Sequence, residues 1–226
     1  MPLLLQQHTD QGILGLWQIT EELDELENLA QLSLSDAMAY SSLSAEKRKK
    51  EWLATRVLLN ELAQKSCLIK YHENGRPYLD SLDFNLSISH TQSFVAILMH
   101  PTLTPGIDIE QSNREIVKVA PRFLSARELA WCSREKGSQN RALMLHWCAK
   151  EAIFKMIKSG NIEFSTDIAI YLDGTTLESG QMRGVFTQNQ TSKTISLEYL
   201  EIEKLILVWG ITNELNKDNL SKIAFE

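Results

Sequence analysis

The run from Gln139 to Lys158 contains no Gly or Pro and is dominated by Ala, Leu, Met, Lys and Glu, so it reads as one uninterrupted helix. Its centre is Trp147-Cys148-Ala149-Lys150-Glu151-Ala152-Ile153-Phe154-Lys155. At about 100° per residue, Trp147, Glu151 and Lys155 fall one turn apart on a single stripe. An aromatic, a carboxylate and an amine in that order exceed what a packing helix needs. The bland alternative is an ordinary Glu–Lys surface pair at i, i+4, worth about 0.2–0.5 kcal/mol. The rest of the chain has to decide between them.

The order of elements around this helix sets the fold class. A strand over Ile13 to Ile19 is followed by short helices from Glu21 to Leu32 and after Ser35-Asp36. A longer helix follows, with Ser44 as its expected N-cap, and runs to about Lys65. Trp52, Leu53, Val57, Leu58 and Leu62 form its apolar face. Next come strands over Leu68 to His72 and Arg76 to Leu79, with Asn74-Gly75 as the hairpin turn. Phe84 to His90 alternates apolar and polar, and Phe94 to Met99 returns as an apolar strand. His100 to Pro105, with two prolines, is the best linker. Beyond it, Gly106-Ile107-Asp108-Ile109-Glu110 reads as a strand and Glu115 to Phe123 as a helix. Ser125-Ala126-Arg127-Glu128 is a complete capping box. After the Gln139 helix come strands over Asp167 to Tyr171, Gly184 to Thr187, Ser192 to Tyr199 and Leu205 to Ile211, with Asp173-Gly174 as a turn. The pattern of strand, short helices, long helix and strands thus occurs twice. The expected architecture is α+β, in two similar, pseudo-twofold halves, residues 1–103 and 104–226. Each half is a long helix packed on an antiparallel sheet, and the active site is expected in the cleft between them.

Composition narrows the function classes. A net charge of −6 argues against a nucleic-acid coat. No apolar run approaches the length of a membrane span. The N-terminal stretch lacks the basic region of a signal peptide. Cys67, Cys132 and Cys148 are sparse, odd in number and without CxxC spacing, which points to free thiols in a reducing, cytoplasmic setting.

Several polar groups then converge. Period two puts Asp108 and Glu110 on one strand face, about 7 Å apart, where they repel unless something positive lies between them. An exposed edge strand is the plain alternative. With Glu151 they make three hard oxygen donors of the kind magnesium takes beside substrate phosphates. Arg48, Arg56, Arg76, His90 and Lys155 are candidate phosphate donors. Arg56 sits among apolar neighbours and calls for an anionic partner. Carboxylates for a metal and cations for phosphate imply a diphosphate substrate.

On these residues the chain resembles the Sfp-type 4′-phosphopantetheinyl transferases. Gly106 to Glu110 matches that family's G-[IV]-D-[IV]-E, and Trp147 to Lys155 matches its W-[STC]-x-K-E-[AS]-x-x-K. Asn74-Gly75-Arg76-Pro77, the strand ending Ser89-His90-Thr91, and Arg122-Phe123-Leu124-Ser125-Ala126-Arg127-Glu128 are supporting matches. The resemblance implies transfer of the 4′-phosphopantetheine arm from coenzyme A to a serine of an apo acyl or peptidyl carrier protein, releasing adenosine 3′,5′-bisphosphate. It implies Asp108, Glu110 and Glu151 on magnesium, and Ser89, His90 and Arg48 on the adenosine 3′-phosphate. Arg76 stands in for the family's G-K-P lysine, and Lys155 contacts the phosphate. Glu151, directly or through a metal-bound water, accepts the serine proton. The stretch Met156 to Asn161 departs from the family's glycine-rich G-K-G. A non-catalytic coenzyme A or carrier-protein binding module is the alternative. A chain carrying both halves is expected to act as a monomer.

Overall fold

The computed structural model describes residues 2–80, 82–157, 161–172 and 176–213. The chain forms two compact units, Met1–Thr102 and Leu103–Glu226.

In the first unit, β1 (Leu3–Thr9), β2 (Gly12–Gln18), β5 (Asn85–Thr91) and β6 (Phe94–His100) make an antiparallel sheet in the order β1-β2-β6-β5. The edge strand β1 is not expected from sequence, because Leu3-Leu4-Leu5 followed by polar residues lacks alternation. The 18-residue helix α3 (Glu46–Ala63) packs on this sheet through Leu58 and Leu62. They lie over Gly15, where an added Cβ would stand 2.8 Å from the Leu62 methyls. Helix α1 (Leu23–Ala30) adds Leu26 and Ala30 to the same core, which also takes Leu53, Leu59, Val95, Ile97 and Met99. Helix α2 is Leu34–Ser41. The α3 N-cap is Ala45, not Ser44, and no side chain caps it. β3 (Ile69–Tyr71) and β4 (Pro77–Leu79) form a small hairpin whose turn places Gly75 at φ 80°. That left-handed conformation costs glycine little, which is why Asn-Gly marks such turns.

The second unit holds a five-stranded antiparallel sheet of β7 (Thr104–Gln111), β8 (Ile168–Leu172), β9 (Ser179–Gln188), β10 (Thr191–Ile202) and β11 (Leu205–Thr212), in the order β7-β11-β10-β9-β8. Helix α5 (Gln139–Met156) packs on it, burying Leu145, Ala149, Ala152, Ile153 and Met156. Helix α4 (Ala126–Cys132) starts on the expected capping box, with Ser125 and Glu128 bonding reciprocally. Helix α6 is the single turn Phe164–Asp167. The helix expected over Glu115 to Phe123 is instead a string of turns ending in one 3₁₀ turn, Ala120–Arg122. Pro121 offers no N–H and disfavours the helical conformation of the residue before it. β9 and β10 run longer than expected. Their hairpins close on Asn189-Gln190 and Glu203-Lys204, all at positive φ, without the glycine that advertises such turns. Helix α5 ends at Met156, with Ile157 extended, short of the expected Lys158, and the expected turn at Asp173-Gly174 lies outside the described residues. No helix among the described residues is long and apolar enough to cross a membrane.

Candidate active site

In the first unit, Arg48 is in the first turns of α3 and His90 lies near the end of β5. Arg48 Nη1 is 2.9 Å from His90 Nε2 and 3.5 Å from Glu51 Oε2. A guanidinium can only donate, so His90 Nε2 accepts and its ring proton is on Nδ1, which is 3.7 Å from Glu51 Oε2. Glu51 is buried and lies within 3.7 Å of both the Arg48 guanidinium and the neutral His90 ring. A cavity of about 170 Å³ opens here, lined by Arg48, Trp52, Arg56, Tyr71, Gly75 and His90.

The anionic partner that Arg56 calls for is internal. Its Nε donates to Asp36 Oδ1 at 2.9 Å, its Nη1 donates to the Trp52 carbonyl at 3.2 Å, and the guanidinium lies over the Trp52 ring. Burial pushes the Arg56 pKa down while Asp36 pushes it back up. Arg48, Arg56 and His90 therefore share one cavity. Ser89 does not: successive residues of a strand face opposite ways, and Ser89 is buried where His90 is exposed. Arg76 is half-buried and also outside the cavity wall, although its neighbours Gly75 and Pro77 line it. Desolvation holds its guanidinium below the usual pKa.

In the second unit, the Gly106 to Glu110 strand lies directly under α5. A Cβ on Gly106 would fall 2.1 Å from the Ala152 carbonyl oxygen, so only glycine permits this approach. The close contact brings the outward stripe of α5 beside Asp108 and Glu110. Lys155 Nζ donates to Asp108 Oδ1 at 2.9 Å and to the Ile107 carbonyl at 2.8 Å. Glu110 Oε1 accepts from Trp147 Nε1 at 3.3 Å and from Arg114 Nη1 at 2.5 Å. Asp108 is only 6% exposed, which removes the plain reading of an exposed face. Glu151 is half-buried, and its pKa is raised to about 7. Burial is the largest cause; Asp108 and Glu110 add repulsion, and Lys155 opposes it.

The three carboxylates are the right donors for a hard divalent ion, and their mutual repulsion is what such an ion relieves. Among the described residues, no three His, Cys, Asp or Glu side chains form a ligating group. Lys155 engages Asp108, and Arg114 and Trp147 engage Glu110.

Sequence reasoning passes over two residues that position the site. Lys150 is fully buried, and its ammonium donates to Glu128 Oε2 (2.9 Å) and to the Phe164 (2.7 Å) and Ile168 (2.6 Å) carbonyls. Glu128 Oε1 takes the Ile170 N–H at 2.8 Å. One buried pair thus ties α5 to α4, α6 and β8. A lysine among Ala and Ile at that helix angle was the available signal. Arg114 had none: it stands four residues after Glu110, but Glu110 lies in a strand, where that spacing implies no contact. Cys67, Cys132 and Cys148 are free and buried. Burial raises the Cys132 thiol pKa to about 12 and the Cys148 thiol well above its usual value, so neither is a nucleophile at neutral pH.

Comparison with known proteins agrees with the motifs. Residues 104–206 match the 4′-phosphopantetheinyl transferase superfamily. Over 125 residues the chain is 31% identical to 4′-phosphopantetheinyl transferase gsp of Aneurinibacillus migulanus, a stretch covering 54% of this chain and 50% of that protein. The chain thus matches about half the length of this curated relative. The resemblance read from Gly106 to Glu110 and Trp147 to Lys155 falls within the matched superfamily region.

Proposed function

We propose that this protein transfers the 4′-phosphopantetheine group of coenzyme A to a serine hydroxyl of an apo acyl or peptidyl carrier protein. The observation that carries this reading is Glu151: a carboxyl with a pKa of about 7, beside two further carboxylates and one turn from Lys155. It lies in the stretch that matches the phosphopantetheinyl transferase superfamily.

At neutral pH a carboxylate with that pKa accepts a proton more readily than an ordinary one. The serine oxygen attacks the phosphorus that carries the pantetheine arm. The bond from that phosphorus to the bridging oxygen breaks, the serine proton goes to Glu151, and adenosine 3′,5′-bisphosphate leaves with the bond's electron pair. Lys155 holds the charge that builds on the phosphoryl oxygens. Asp108, Glu110 and Glu151 would hold magnesium, which when bound supplies positive charge against the diphosphate. Arg48 and His90 are the donors for the adenosine 3′-phosphate; Ser89, beside His90 on β5, and Arg76, in the β3–β4 turn, enter through the family motif alone. Arg56 forms the cavity wall while engaged with Asp36. Free, sparse cysteines support a cytoplasmic setting, and we take the chain to act as a monomer.

The test is the intact mass of several apo carrier proteins after incubation with this protein, coenzyme A and magnesium. A gain of one phosphopantetheine on any of them supports the reading. No gain on any, with the protein folded, overturns it. Asp108→Ala is expected to abolish the gain; retained turnover removes Asp108 from the site.

A further inference from the structure

Arg114 belongs to neither motif. It lies in the turn after β7, and its Nη1 donates to Glu110 Oε1 at 2.5 Å. The turn itself is pinned. Asn140, near the start of α5, donates its Nδ2 to the Ser112 carbonyl at 3.3 Å and to the Arg114 carbonyl at 2.9 Å. Its Oδ1 accepts from the Ile116 N–H at 3.3 Å. The backbone that carries Arg114 is therefore fixed, while the Arg114 side chain remains 52% exposed. Lys155 is bound differently: it is 27% exposed and grips both Asp108 Oδ1 and the Ile107 carbonyl.

The two cations thus differ in how easily they release a carboxylate. A half-exposed guanidinium on a pinned turn exchanges its carboxylate for water without disturbing the fold. An ammonium shared between a carboxylate and a carbonyl has more to give up. We propose that Arg114 is the displaceable counter-ion of the cation site. It neutralises Glu110 while no divalent ion is present, and it turns out to solvent when one binds. This rests on the reading of Asp108, Glu110 and Glu151 as metal ligands. Arg114 then sets the affinity for the ion, because the ion must compete with it for Glu110. An ion pair this exposed is weak and screened by salt, so the competition amounts to about two- to fivefold in affinity.

The experiment measures binding of manganese(II), alone, to the full chain by the loss of its free-ion paramagnetic resonance signal. The comparison is between wild type, Arg114→Gln, Arg114→Lys, Asp108→Ala and Lys118→Gln, the last removing an exposed cation of the same loop. Arg114→Gln is expected to bind manganese two- to fivefold tighter at low ionic strength, with the gain shrinking as salt rises. Arg114→Lys stays near wild type, and Lys118→Gln changes little. The proposal is overturned if Arg114→Gln binds with equal or lower affinity, since Arg114 would then be orienting Glu110 rather than competing for it. It is also overturned if Lys118→Gln gains as much, since net charge alone would then explain the effect. If wild type binds manganese, Asp108→Ala does not and Arg114→Gln is unchanged, this inference falls and the ligand reading stands. If no form binds, both fall.

Discussion

Each unit contains an 18-residue helix on an antiparallel sheet, and each helix carries a buried cation 2.9 Å from a buried carboxylate. The resemblance ends there. Arg56 pairs with Asp36 at the wall of an open cavity, stacked on Trp52. Lys150 pairs with Glu128 in a fully enclosed position and uses its other protons on two carbonyls. The choice of residue follows from the setting. A guanidinium is weakly hydrated, stacks on aromatics and stays charged beside a cavity. An ammonium is compact and can be coordinated on several sides by oxygen. The long helices also differ in the charge they collect. Near its start, α3 gathers cations, Lys47, Arg48, Lys49 and Lys50, as suits an anion. The outward stripe of α5 lies beside carboxylates, as suits a metal ion.

The largest expected effect tests the buried pairs. Lys150→Met leaves the Glu128 carboxylate buried without its cation, a loss on the order of 3–5 kcal/mol. Arg56→Met replaces a side chain that lines an open cavity, through which water can reach the stranded Asp36, and should cost less. Denaturant unfolding of both variants gives the ranking. If Arg56→Met costs as much as Lys150→Met, the enclosed and open settings are energetically alike and the distinction fails.

The glycines beneath the two helices sharpen the same comparison. At Gly106 an added methyl meets a backbone carbonyl of α5, whereas at Gly15 it meets the mobile ends of Leu58 and Leu62. Gly106→Ala is expected near the upper end of the roughly 1–3 kcal/mol typical of overpacking, and Gly15→Ala near the lower end. Thermal unfolding of each reads this. Only Gly106→Ala should also cut the proposed transferase turnover, by moving Glu151 and Lys155 away from Asp108.

Much of this was legible beforehand, and the failures have physical causes. The capping box at Ser125 and Glu128 was readable because its bonds are local. The second duty of Glu128, on Lys150 and Ile170, was not, because it joins residues far apart in sequence. Asp108, Glu110 and Glu151 were nominated by period and residue type. That Asp108 is buried, beneath a helix lying as close as Gly106 permits, is something no alternation reveals. Turns without glycine hid the true lengths of β9 and β10, and Pro121 outweighed the helical pattern before it.

A smaller effect follows from Glu151. Its folded pKa, about 7, lies above the usual carboxylate value of about 4.5. Protonation therefore stabilises the fold fully below about pH 4.5, and this contribution is lost as pH rises through 7. Without divalent ions, Glu151→Gln should match wild type at low pH and melt at a higher temperature above pH 7. Equal melting at every pH would mean that Glu151 ionises unhindered. The smallest change expected is at Arg48. Its pairing is half exposed, so Arg48→Gln should alter stability by less than about 1 kcal/mol while weakening the proposed coenzyme A binding in a salt-dependent way.

Lys150 and Glu151 are neighbours in sequence but serve opposite ends of the design, one anchored inward and one presented outward. Together they act as a rotational index for α5. Inserting or deleting one residue between the helix start and Lys150 would turn the rest by about 100° relative to that start, and only about seven residues, two turns, would restore the original facing. Substituting a side chain on the solvent side of this helix leaves that facing unchanged. Altering the spacing of Lys150 and Glu151 from the start of α5 does not.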